Sequence, residues 1–272
     1  MWLAACGDSG AREPTPALWE VSGPRGETGW LFGTVHALPD GTRWRTPRLA
    51  SVLERTGVLV VEVANLGEPG AAAGAFAAVA SSPGLPPLLS RVAPADRPAL
   101  AAALARAGLA EADFAETESW AAALQIANAT REGDSGNGVD RALLGEGLPV
   151  IALEGFAGQF AIFDRLPEAD QAGLLQEAAR EDGPAEERAL VAAWLAGDLA
   201  ALERETREGM LADPELREAL LTGRNRAWAA RIAELLRADR RPLVAVGAGH
   251  MLGPDGLPAL LAARGYAVRR IQ

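Results

Sequence analysis

The chain has 272 residues, 26 basic against 36 acidic side chains, a net charge of −10 and a 49% hydrophobic composition. That suits a folded protein with a substantial core and excludes a disordered chain; the absence of a basic patch argues against a nucleic-acid partner. Every basic residue is arginine, so a Schiff-base lysine, a phosphate-loop lysine and a Ser-Lys dyad are excluded, and the single cysteine, Cys6, rules out an internal disulfide.

Leu3-Ala4-Ala5-Cys6, followed by a polar stretch, resembles a bacterial lipobox, whose cysteine becomes the acylated first residue of a lipoprotein. On that reading residues 1–16 form a flexible tether. The protein then sits in the cell envelope or periplasm, anchored to a membrane through acylated Cys6; the alternative is a cytoplasmic protein. No run is long and apolar enough to span a membrane. Leu18–Ser22 and residues 29–33 read as strands joined by the turn Gly23-Pro24-Arg25-Gly26. Thr46-Pro47 opens a helix, and Gly57 ends it. Residues 58–63 are β-branched and apolar, the pattern of a buried parallel strand, with Glu62 as the exception. Residues 67–135 are alanine-rich and punctuated by proline, with helices expected over 94–107 and 119–131. A glycine-rich loop, a helix over 139–144 and a strand over 148–154 ending on Glu154 follow. Residues 167–238 carry apolar positions at three- and four-residue steps and read as helical throughout. The chain closes with a strand over 242–246, a helix over 255–264 and a strand over 266–271. The expected fold is α/β (α+β), with a small central mixed sheet flanked by helices. It is a single discontinuous domain over 17–272, with core segments 17–66, 138–160 and 239–272 and helical insertions 67–137 and 161–238.

The chain's two histidines fall in the same motif: His36 closes Gly33-Thr34-Val35-His36 and His250 closes Gly247-Ala248-Gly249-His250, each after an expected strand. Sites of open α/β sheets gather at the carboxyl ends of strands, so the two imidazoles are expected to meet at one sheet edge. The glycine three residues ahead of each histidine reads as the point of a sharp turn. Two histidines and a carboxylate make a metal-binding set, for zinc with an open position or for iron or manganese as a facial triad. Glu62 is the third candidate, because an unpaired carboxylate in a buried strand is unfavourable and a metal or an arginine would relieve it. The plainer readings are hydrogen-bonded loop histidines and a Glu62 that faces solvent or an arginine. That both histidines repeat one motif favours the site. Glu154 and Asp140 are weaker candidates. The glycines of Val244-Ala245-Val246-Gly247-Ala248-Gly249 imitate a dinucleotide loop, but too little chain follows for a βαβ unit. Gly133-Asp134-Ser135-Gly136-Asn137 lacks the final glycine and the preceding strand of a nucleophile elbow.

These residues resemble the TraB/GumN family, which includes the TIKI proteases. The resemblance is carried by Trp30-Leu31-Phe32-Gly33-Thr34-Val35-His36-Ala37-Leu38-Pro39 and Leu59-Val60-Val61-Glu62-Val63. It continues in Arg224-Asn225 before a helix, then in His250 with its preceding strand and Gly253-Pro254-Asp255-Gly256-Leu257. Gly138-Val139-Asp140 and Leu153-Glu154 with Gln159 are weaker landmarks. The resemblance implies a fold akin to erythromycin-esterase-like proteins, on which His36, His250, Glu62, Arg224 and Asn225 converge. TIKI members are regarded as metal-dependent peptidases, and related esterase-like enzymes as using the same histidines without metal. The leading expectation is therefore a metal-dependent hydrolase, of the peptidase class. His36, Glu62 and His250 would hold a divalent ion (Mn, Co or Zn). Arg224 or Asn225 would stabilise an oxyanion or position a peptide or a small ester or amide. One alternative is a metal-independent esterase-like hydrolase with a histidine general base. The other is a non-enzymatic surface lipoprotein that binds a peptide or protein.

Overall fold

The computed structural model describes residues 13–272 except 69, 181, 182 and 209. The lipobox-like segment around Cys6 lies outside the described residues. Among the described residues no helix is long and apolar enough to cross a membrane.

Six strands form one mixed sheet: β1 (Leu18–Ser22), β2 (Thr28–Thr34), β3 (Val58–Val61), β4 (Val150–Ala152), β5 (Pro242–Gly247) and β6 (Ala267–Arg270), in the order β4-β3-β5-β2-β1-β6. β4, β3, β5 and β2 run parallel to one another, while β1 is antiparallel to both β2 and β6. The C-terminal strand β5 is threaded between β2 and β3, pairing Thr34 with Gly247 on one side and Val61 with Ala245 on the other. β3 is buried along its whole length and β5 along nearly all of it. Strands covered on both faces read as continuous apolar runs rather than alternating ones, which is why these two are visible in the sequence.

On one face Val60, Val244 and Val246 pack against Trp228, Ile232 and Leu236 of the helix Gly223–Arg237 and against Leu257 and Leu261 of the helix Leu257–Ala263. On the other, Phe32, Leu59, Val61 and Ala245 meet Trp44, Val139, Leu143 and Trp194. The Trp194 indole N–H donates to the carbonyl of Gly33 at 2.8 Å, tying the helix Gly183–Ala196 to β2. A separate cluster around Trp120, Leu100, Phe114 and Leu175 joins the helices Arg97–Ala107, Ser119–Thr130 and Glu168–Ala178.

The mixed α/β class is as expected, with several local differences. The strand expected over 148–154 contracts to Val150–Ala152, an edge strand whose Val150 is 37% exposed. The helix expected from residue 94 begins at Arg97. The stretch 167–238 is not one run of α-helix. It breaks into several helices, with a π-helical turn, Glu218–Thr222, immediately ahead of the helix that carries Arg224 and Asn225. Such turns recur at functional sites because they re-aim the residues that follow.

Candidate active site

The four parallel strands end at the same edge of the sheet, and each is followed within three residues by a polar residue. His36 lies two residues beyond β2, Glu62 directly after β3, Glu154 two residues beyond β4, and His250 in the 3-10 turn Ala248–Met251 after β5. Arg224 and Asn225 stand in the first turn of the helix Gly223–Arg237.

His250 is buried, with its ring centroid 4.4 Å from that of Trp228. Its Nδ1 lies 2.6 Å from Asn225 Oδ1, and Asn225 Nδ2 donates to the Asp255 carbonyl at 2.8 Å. Only the amide nitrogen can donate to a carbonyl, so the amide oxygen must face the ring. Nδ1 therefore carries the proton and Nε2 is left as an acceptor. Nε2 lies 3.3 Å from Arg224 Nη1 and 3.9 Å from Glu62 Oε1. Burial, reinforced by the charges of Arg224 and His36 and opposed by Glu62, holds its pKa down to about 3. His250 is neutral at physiological pH.

His36 has the opposite environment. Its Nδ1 lies 2.7 Å from Asp140 Oδ2, and the other Asp140 oxygen accepts the Thr34 hydroxyl. Asp140 is buried in the first turn of the helix Val139–Leu144, which is tied to the segment before His36 by the Val139 N–H donating to the Val35 carbonyl at 2.9 Å. The hydrogen bond to Asp140 pushes His36 up to about 9, with Glu62 adding to the pull and burial and Arg131 opposing it. The side chain is 63% exposed, so this imidazole faces solvent.

Glu62 lies between the two histidines. Its Oε1 accepts the Gly247 N–H at 2.8 Å; its Oε2 accepts Arg224 Nη2 at 2.6 Å and Gln159 Nε2 at 3.2 Å. Burial alone would raise the carboxyl. The Arg224 guanidinium and the His36 imidazolium beside it, with the Gly247 N–H, more than offset that and keep it below the usual carboxylate range. Arg224 also clamps Glu154 through Nε and Nη2, both at 2.9 Å, and lies 4.5 Å over the Trp228 ring. Its Nη1 donates to the Leu220 carbonyl at 2.9 Å and faces His250 Nε2. All five guanidinium N–H groups are thus engaged. Asn225 has no exposed surface, and both ends of its amide are committed.

Gly247 is the point on which the three expected ligands converge. A Cβ there would stand 3.2 Å from Glu62 Oε1 and 3.7 Å from both His250 Cδ2 and His36 Nε2. At Gly33 a Cβ would meet the Ala248 backbone at 3.0 Å. The motif glycines therefore do not act by turning the chain, as the sequence suggested. Neither has a left-handed backbone; they act by lacking a side chain where backbone and polar side chains crowd together.

The structure brings His36, Glu62, His250, Arg224 and Asn225 together. It also gives Asp140 and Glu154 a larger part than their sequence standing, as direct partners of His36 and Arg224. Thr34, Gln159 and Trp228 complete the surroundings and carry no sequence signal of their own beyond the Gln159 landmark. Asp170, Asp213 and Glu215 form a separate acidic group within 4.8 Å, in which Asp213 caps the helix Pro214–Arg217.

The sequence profile of the TraB/PrgY/gumN family matches residues 17–270, nearly the whole chain. The chain belongs to the TraB/PrgY/gumN family. No curated protein and no solved structure matches it. In this family member the site opens into two cavities. One, of about 240 Å³, is lined by Arg131, Ser135, Arg141 and Gln159 together with His36 and Glu62. The other, of about 400 Å³, is lined by Leu190, Leu202, Leu220, Leu221 and Leu252 together with His36, Glu62, Arg131 and His250.

Proposed function

We propose that the chain is a hydrolase of amide or ester bonds, with peptides the leading class of substrate. The observation that carries this reading is the ring of His36 Nε2, Glu62 Oε1 and the His250 edge around Gly247, with each Nδ1 tied to a fixed acceptor. Glu62, ionised at neutral pH, is the group to take a proton from water. His36, protonated by virtue of Asp140, presents Nε2–H to a developing oxyanion or leaving group. Two groups whose surroundings push their protonation in opposite directions make an acid–base pair. Arg224 and Asn225 are positioning residues in this scheme: the first fixes Glu62 and Glu154, the second sets the His250 tautomer. Arg224 has no donor to spare for an oxyanion, and Asn225 has no exposed surface to present one.

A divalent ion is a second reading of the same donors, whose ligand atoms do not all lie within 4.8 Å of one another in this structure. His36 Nε2, His250 Nε2 and Glu62 would hold it beside Gly247, and each histidine already leans its other nitrogen on an outer partner, as ligating histidines do. Glu62, Asp140 and Glu154 are the carboxylates around these donors, and Arg224, Arg131 and Arg141 the guanidiniums that a cation would meet there. Bound there, Mn, Co or Zn would acidify a water and polarise a carbonyl. The metal-independent reading is favoured by one specific contact set: Arg224 already places its guanidinium on Glu62 Oε2 and beside His250 Nε2.

Metal content and turnover of peptide and ester substrates, before and after exhaustive chelation, separate these readings. Activity restored only by added metal, with metal lost in His36→Ala and His250→Ala, supports the ion. Activity that survives chelation supports the acid–base pair. Absence of turnover in both states, with biological function intact in the double histidine variant, refutes the hydrolase in favour of a binding protein. We place the protein in the cell envelope on the strength of the Cys6 motif alone; an unmodified Cys6 in a cytosolic protein, seen by mass spectrometry, refutes that.

A further inference from the structure

We infer that the site accepts an amphipathic carboxylate: an amide or ester flanked on one side by an aliphatic group and on the other by a carboxylate. The inference rests on the hydrolase reading for the bond in the middle and goes beyond it in naming what lies on either side. The two cavities share His36, Glu62 and Arg131, so a molecule lying across the reacting groups enters both. The larger one is walled by leucines from three helical segments and the 3-10 turn, a lining that selects an aliphatic group. Its one carboxylate besides Glu62, Glu187, is occupied by the Glu132 N–H at 3.1 Å.

The smaller cavity has a different chemistry. Its charged groups sort into pairs, His36 with Asp140 and Glu62 with Arg224, until two guanidiniums are left. Among the described residues neither Arg131 nor Arg141 makes a hydrogen bond or an ion pair. Glu132, adjacent to Arg131 in sequence, pairs instead with Arg188. Arg131 is close enough to the reacting centre for its charge to oppose the His36 imidazolium. Arg131 and Arg141 are exposed residues that both line the small cavity, Arg131 at its junction with the larger one, and two guanidiniums at one cavity suit a carboxylate. In a chain of net charge −10, acidic side chains are abundant, and none is placed on these two arginines among the described residues. The carboxylate can belong to the amine side of the scissile bond, as in an N-acyl amino acid or the end of a peptide, or to its acyl side.

The test is calorimetric titration of the purified protein with four probes, each sample then being checked for cleavage by NMR. N-hexanoylglycine and N-hexylsuccinamic acid carry both groups on opposite sides of the amide; N-hexanoylglycinamide lacks the charge; N-acetylglycine lacks the chain. At least one of the two acids binds, and the glycinamide and acetyl probes bind about fivefold or more weakly, as expected for partly exposed charge pairs and a lost apolar contact. Arg131→Gln combined with Arg141→Gln weakens the acid by a similar factor and leaves the glycinamide unchanged. Raising salt to about 0.2 M weakens only the acid. Equal affinity for acid and glycinamide, indifference to chain length, or no binding at roughly 10 mM would overturn the inference. Acids that bind as described without being cleaved refute the hydrolase and leave this inference standing. Cleavage that ignores the carboxylate does the reverse.

Discussion

The protein has two histidines, and the structure gives them opposite protonation at neutral pH. His36 is pushed up to about 9 by its bond to Asp140, and His250 is held down to about 3 by burial. Neither should titrate between pH 5 and 8, where a free imidazole does. The perturbation that tests this is Asp140→Asn. The carboxamide keeps the shape and can still accept the Thr34 hydroxyl, but it removes the charge beside Nδ1. His36 then falls back to 6.5 or below, because burial and Arg131 still push down and only Glu62 pulls up. Taken at full strength, a rise from 6.5 to about 9 corresponds to about 3 kcal/mol. With the side chain 63% exposed, water screens most of this, and about 1 kcal/mol of folding stability is expected from the pair. A base whose pKa is raised by folding contributes stability that is complete below 6.5 and is lost as pH rises through about 9. Urea unfolding should therefore separate wild type from variant by about 1 kcal/mol near pH 6, with the gap closing above about pH 9. The direct assay is the titration of the two imidazole proton resonances in metal-stripped protein, with His36→Ala making the assignment. A wild-type His36 resonance that titrates near 6.5 and does not move in Asp140→Asn would refute the reasoning.

Asn225→Leu strands the buried His250 Nδ1–H and removes the bond to the Asp255 carbonyl, so it should destabilise the protein by about 2–4 kcal/mol in urea unfolding. An unchanged midpoint would remove Asn225 from its bridging role. His250 is neutral when folded, so its contribution to stability is complete above 6.5 and is lost as pH falls toward about 3. The slope should reach at most about 1.4 kcal/mol per pH unit, and His250→Asn should flatten the acid limb of the stability curve. A limb equally steep in the variant would place the acid sensitivity elsewhere. Gly247→Ala keeps an accessible backbone, φ −45° and ψ 136°, but puts a methyl 3.2 Å from Glu62 Oε1. Turnover should fall about a hundredfold while the melting temperature moves by only a few degrees. Full activity in this variant would show that the point between the imidazoles is not where the chemistry occurs.

The parts of this protein that were legible in its sequence are those that leave a local trace. β3 and β5 are visible because both faces of each are covered, and Glu62 because a charge interrupts such a run. The histidines are visible because one motif repeats. Asp140 and Glu154 were weak candidates because their partners lie 104 and 70 residues away, and no spacing records that. The π turn at Glu218–Thr222 reads as ordinary helix, since its residues suit either winding. The place of β5 is hidden for a similar reason: parallel neighbours are joined by long crossovers, which leave no hairpin signal. The role of the motif glycines was misread because an absent methyl group is meaningful only once its surroundings are known.

β5 has a consequence for how the protein comes into being. It hydrogen-bonds to β2 on one side and β3 on the other, and those two strands do not bond to each other. It begins at residue 242, after β1, β2, β3 and β4 in the chain. Until it docks, β1 and β2 form one ribbon and β3 and β4 another, with His36 and Glu62 on separate pieces. Pairing across so long a span is slow to form, and the waiting ribbons expose their unpaired edges. The groups of the candidate site therefore come together only when β5 joins the two ribbons. A nascent chain, or one clipped ahead of β5, lacks the Gly247 N–H and the His250 ring that meet Glu62 in the folded molecule.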